Sequence, residues 1–203
     1  MEDIERRLLG TEEPQQIKNP EDFEGFDLSK AKFDHAIMHQ VSMHYADLTE
    51  ADLRGANLHR ANLHEADLSK ADLSKADLHN VNLKAAKLIG ADLPFADLYK
   101  VNLHGANLLS ADMTKANLRG ADVGEADLTR ANLSGANLFG ANLCAADLSM
   151  ASLRAAALNG ADLFEANLNG ANLSRVKNLD KAILPEGWRE ALEAAGLIEP
   201  ASE

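Results

Sequence analysis

Aromatic residues make up only 4% of this 203-residue chain, and Cys144 is its single cysteine. One thiol excludes an intramolecular disulfide and fits a reducing compartment. Scarce aromatics mean that any core must be built from aliphatic side chains. No apolar run approaches the roughly 18 residues of a membrane span. The start, Met1-Glu2-Asp3-Ile4-Glu5-Arg6-Arg7, has no basic segment followed by an apolar one, so no secretory leader is expected. The expectation is a cytoplasmic protein with no membrane partner. Also missing are a glycine-rich phosphate loop, Cys-x-x-Cys or His-Glu-x-x-His metal spacings and a nucleophile elbow. No enzyme, cofactor or metal is predicted. A basic stripe with interleaved aromatics is absent too, so direct nucleic-acid binding is not expected.

What is present is a period of five. From residue 26 to 175, alanine or valine opens nearly every unit, aspartate or asparagine usually follows, and leucine is central: Ala46-Asp47-Leu48, Ala51-Asp52-Leu53, on to Ala171-Asn172-Leu173. Phe33, Met38, Met43, Met113 and Val123 replace the central leucine. An unbroken period indicates a stacked, quasi-one-dimensional array whose units bury their apolar faces against neighbours. With the central residue labelled i, positions i−2 and i of an extended segment face one way and i−1 the other. Ser, Thr, Gly, Lys, His and Asn at i+1 and i+2 make a corner. A 3.6-residue helix cannot keep i−2 and i of this period on one face. Each unit is a short strand and a turn. Aspartate or asparagine at i−1 is expected to bond nearby turn amides, which makes these carboxylates structural.

Ala-(Asp/Asn)-Leu-x-x resembles the consensus of the pentapeptide repeat family, with thirty units in register from Phe26 to Arg175. The resemblance implies an all-β solenoid, a right-handed quadrilateral β-helix with four units per coil. Thirty units then make about 7.5 coils, a rod of roughly 36 Å at about 4.8 Å per stacked strand. Residues 1–25 are expected to form an N-terminal cap or linker, 26–175 the β-helix and 176–203 a C-terminal cap.

Solenoid ends need covering. The register slips by one residue near Lys177-Asn178-Leu179. Pro185 then suits a first helical position, and Trp188, Ala191, Leu192 and Ala195 share one face. A capping helix is predicted over about 185–195, with Gly196 as its stop. Some family members dimerise through this end, so the expectation is a monomer or a homodimer joined there. At the other end, Asp3 suits the cap of a short helix carrying Ile4, Leu8 and Leu9 and ended by Gly10.

Six of the seven histidines sit at i+1. With 20 residues per coil, His39, His59 and His79 share an exposed column with Tyr99. His44 and His64 share the next, followed by Lys84 and His104. Three readings apply: a tolerant, solvated turn position, which the sequence favours; a pH-sensitive contact surface, since imidazole titrates near neutrality; or a metal site. Asp52, Asp72, Asp92 and Asp112 form an acidic column on a different face.

Two functions fit the array, the second of them implied by the family resemblance. One is a scaffold whose faces bind another protein. The other is DNA mimicry toward a type II topoisomerase such as DNA gyrase, with inhibition or quinolone protection. A 36 Å mimic of duplex DNA needs on the order of 20 negative charges. The net charge is −12, but residues 26–175 hold eighteen acids against fourteen bases, a net −4. The sequence therefore favours the scaffold.

Overall fold

The computed structural model describes residues 23–194. The N-terminal helix expected at Asp3–Gly10, Ala195 and the stop at Gly196 lie outside them.

The chain winds as a coil held by single parallel bridges, all but the last joining a residue to the one 20 positions later. Four bridge columns run the length of the stack, beginning at Asp27, Lys32, Ile37 and Ser42. These are the i−1 positions of successive units.

Hydrogen bonding explains why each unit has five residues. In Ala66-Asp67-Leu68-Ser69-Lys70, the Ala66 amide closes the preceding turn on Leu63 O (3.1 Å). Asp67 N donates to Ala46 O one coil earlier (2.9 Å), and Leu68 N to Lys87 O one coil later (2.7 Å). Lys70 N donates to Ile89 O on the later coil (2.9 Å). The Ser69 amide has no backbone partner and donates to the Asp67 carboxylate (3.0 Å). All five amides are satisfied, as buried or half-buried donors require. The i−1 aspartate or asparagine is thus part of the wall, and the same i−1 to i+1 bond recurs from Asp27–Ser29 to Asn172–Ser174.

The corner carries a stricter rule than the sequence reading recognised. Every fifth residue from Gly25 to Arg175, the i+2 position, has positive φ. With the bond from i+3 N to i O, this is the signature of a type II turn. Residues as different as lysine, glutamate, glycine, alanine, serine and phenylalanine fill it, but no Val, Ile or Thr does, because β-branched side chains fit left-handed backbone poorly. At Gly55 (φ +61°) the position is doubly constrained. An added Cβ would lie 2.7 Å from the His35 ring.

The interior is a single column of central Leu, Met, Phe and Val side chains with the i−2 alanines beside them, nearly all fully buried. It loosens at the ends. Ala31, Ala36, Ala171 and Leu173, all expected to be buried, are only half-buried, since fewer neighbours cover them.

At the C-terminal end the stack absorbs one extra residue. Asp162 bridges Ile183, 21 positions on. The slack is taken up by Asn178 in left-handed conformation and a 3-10 turn, Leu179–Lys181. The helix, α1, spans Trp188–Ala194 and does not begin at Pro185. Gly187 (φ +74°) and the bond from Trp188 N to Pro185 O (3.1 Å) form a turn that delays it. Leu192 is buried in the core, and Trp188 packs against it, half-buried. No described helix is long and apolar enough to cross a membrane.

Candidate functional site

The third bridge column runs Ile37, Asn57, Asp77, Asp97 and places His39, His59, His79 and Tyr99 one above another at their corners. The His59 and His79 ring centroids are 4.9 Å apart at 64° between planes. His79 and Tyr99 are 4.7 Å apart at 60°. The imidazoles are half-buried between coils, not freely exposed as expected, because an i+1 side chain leans onto its column neighbours. Asn57, Asp77 and Asp97 accept the amides of His59, His79 and Tyr99, each at 3.1 Å. Those bonds fix the corners that carry the rings.

The fourth column places His44, His64, Lys84 and His104 in register, yet its histidines do not stack on one another. His44 Nδ1 meets Ser42 Oγ (2.9 Å) and its Nε2 meets Glu24 (3.0 Å). His64 Nδ1 donates to the Lys84 carbonyl (2.9 Å), while its Nε2 lies 3.0 Å from Glu65. Tyr45 stands between these two rings, with centroids 5.3 and 6.0 Å away. His104 lies 3.9 Å from Asp122 and 3.8 Å from Glu125. Each ring has its own acidic neighbour, so the two histidine columns are chemically different. Glu24 at i+1 and Tyr45, Glu65 and Glu125 at i+2 reach across the corner in a way the sequence pattern did not announce.

Asp52, Asp72, Asp92 and Asp112 are in register down the second column. They are not equivalent. Asp52 is held by the Arg54 guanidinium, whose hydrogen bonds keep its carboxyl below the usual range. Arg54 also reaches to 3.8 Å from Asp72. Asp72 and Asp112 accept the amides of Ser74 and Thr114, both at 2.9 Å. Asp92 precedes Pro94, which has no amide to give. Desolvation first, then the charges of Asp72 and Asp112, push its carboxyl above the ordinary value.

Cys144, half-buried in the fourth column, is a poor nucleophile. Desolvation and the nearby acids Asp162, Glu165 and Glu125 push its thiol up.

Large apolar side chains also stand at corners, a feature the five-residue pattern obscured. Tyr45, Phe95, Phe139, Phe164 and Met150 are exposed. Lys115 lies 5.2 Å from the Phe95 ring centroid and Arg119 5.0 Å from that of Phe139.

The sequence matches the family description "Pentapeptide repeats" in eight copies, covering residues 22–55, 42–80, 76–114, 96–135, 111–149 and 136–175. No curated protein matches. Among solved structures, the chain is similar to HetL, a pentapeptide repeat protein involved in heterocyst differentiation regulation from the cyanobacterium Nostoc sp. strain PCC 7120. The identity is 34%, covering 81% of this chain and 87% of that one, with a TM-score of 0.48. It is also similar to full-length QnrB1, a plasmid-mediated fluoroquinolone resistance protein, at 22% identity over 85% of this chain and 95% of that one, TM-score 0.53. The chain belongs to the pentapeptide repeat family.

Proposed function

We propose that this protein is a non-catalytic scaffold that docks another protein through its corner side chains. The observation that carries this reading is the set of large exposed side chains, Tyr45, Phe95, Phe139, Met150 and Phe164, spread over several corners of the coil. Aromatic side chains held by a rigid backbone lose little entropy on binding and are typical interface anchors. Many of the aspartates and asparagines at i−1 are already committed to turn amides. In the same proposal, the coil is the right-handed, four-sided one of about 7.5 turns that the family implies. Residues 26–175 form the body, 1–25 lead into it, and 176–203 with α1 close its end, leaving a cytoplasmic monomer or a homodimer joined at that end.

A second reading, topoisomerase binding by charge mimicry, is favoured by one observation: the uncapped Asp92 between Asp72 and Asp112. Against it, acids elsewhere are matched by cations, as in Lys30–Glu50, Arg54–Asp52 and Lys87–Asp67. A DNA-like surface needs unmatched charge along its length.

The test is capture from cell lysate with the protein and with a variant carrying Phe95→Ser, Phe139→Ser and Phe164→Ser. The scaffold reading expects a specific partner lost with the aromatics. Identical capture by both proteins contradicts it.

A further inference from the structure

His59, Asp77 and His79 each offer a metal-ligating atom, and these atoms all lie within 4.8 Å of one another. All three residues are half-buried. We propose that they bind one divalent transition-metal ion of the zinc or nickel class, a site separate from the docking surface.

The donor chemistry fits. Two imidazole nitrogens and one carboxylate oxygen suit borderline divalent ions, which take such ligands at about 2.0–2.2 Å. Ligand atoms around one tetrahedral ion lie about 3.3–3.5 Å apart by the same bond lengths. The ligand atoms therefore have to draw closer by up to about 1.5 Å to hold one ion.

The backbone is already organised for it. His59 and His79 occupy the same corner of adjacent coils, bridged through Asn57 and Asp77. Asp77 Oδ1 accepts the His79 amide at 3.1 Å, which aligns the carboxylate beside the second imidazole and leaves Oδ2 available. Outer-sphere bonds of this kind are what orient ligands in metal sites.

The contrast with the neighbouring column is the second observation. His44, His64 and His104 spend their ring nitrogens on Ser42, Lys84 O and nearby glutamates or Asp122. Among the described residues, the His59 and His79 rings contact each other and the His79 ring contacts Tyr99, while their hydrogen bonds are through the backbone. Their nitrogens are uncommitted, in a half-buried setting where a polar partner is favoured. The ion supplies that partner, and water completes its coordination.

The experiment is calorimetric titration of the full-length, metal-free chain with Zn²⁺, and separately with Ni²⁺. One saturable site per chain is expected, weakened at least about tenfold by His59→Gln, by His79→Gln and by Asp77→Asn, in line with loss of a ligand. Asparagine keeps the cap on the His79 amide, so loss with Asp77→Asn reports the charge and not the turn. His64→Gln should leave affinity unchanged. Absence of a saturable site overturns the proposal, as does affinity unchanged by His59→Gln and His79→Gln together, or reduced as much by His64→Gln. A measurement needing no variant is NMR of the native chain with Ni²⁺. Broadening centred on His59 and His79 is expected, and broadening spread evenly over all histidines overturns the site.

Discussion

Pro94 deprives Asp92 of the amide that Ser74 gives Asp72 and Thr114 gives Asp112 one coil to either side. Proline is well suited to the second position of a type II turn, so the corner itself gains rigidity. The cost falls on Asp92, a carboxylate flanked by two others with no donor of its own corner to offset them.

Replacing Asp92 by asparagine should therefore stabilise the protein at neutral pH. Its carboxyl is raised above the ordinary value, so folding favours the protonated form, and the ionised form costs stability as pH rises through the folded value. Denaturant melts at pH 7 should show the variant above wild type. The gain should vanish below about pH 4, where the carboxyl is protonated in both states.

Asp147 makes the opposite case. The Ser149 hydroxyl and amide (amide 2.8 Å), then Asn167 (3.1 Å), hold its carboxyl below the usual range despite some burial. A depressed folded pKa gives stability that is full above the unfolded value and is lost as pH falls through the folded one. Asp147→Ala should cost about 1–2 kcal/mol at pH 7 by removing bonds to a charged group. The difference from wild type should shrink when both are melted at progressively lower pH.

Ser110 tests the corner rule. Its φ is +58° and its side chain is exposed. Ser110→Val should destabilise by about 1–2 kcal/mol, the cost of left-handed backbone for a bulky L-residue. Ser110→Gly should be neutral or gain up to about 1 kcal/mol, because relief of that strain offsets glycine's extra unfolded-state entropy. Equal stability of the two variants on chemical denaturation would argue against a strained corner.

The core makes a quantitative demand. Leu98 is fully enclosed between coils, so Leu98→Ala should cost about 2–5 kcal/mol on denaturant unfolding. A loss near zero would mean that the column is loosely packed.

How much of this was legible depends on which interactions are local. The Leu and Ala positions, the amide-capping aspartates and the extra residue near Asn178 could be read directly, because each follows from spacing within a few residues. The left-handed corner was harder to see. Lys30, Glu50 and Arg60 tolerate it without advertising it, and the signal was an absence, that of Val, Ile and Thr. Proline at 185 suggested a helix start, but the left-handed Gly187, immediately before α1, sets it later, at Trp188. Contacts between coils were the least legible. Joining Asp77 to His59 and His79 requires both the coil length and the direction each side chain takes at its corner. The same holds for Glu65 beside His64, which separates the two histidine columns.

The most direct test of the scaffold account is supercoiling by purified bacterial DNA gyrase, titrated with this protein with and without a quinolone. A wall whose acids are largely matched by cations or spent on turn amides predicts unchanged supercoiling and unchanged quinolone sensitivity at low micromolar protein. Inhibition, or protection from the quinolone, would contradict the account and point to the Asp72–Asp92–Asp112 face.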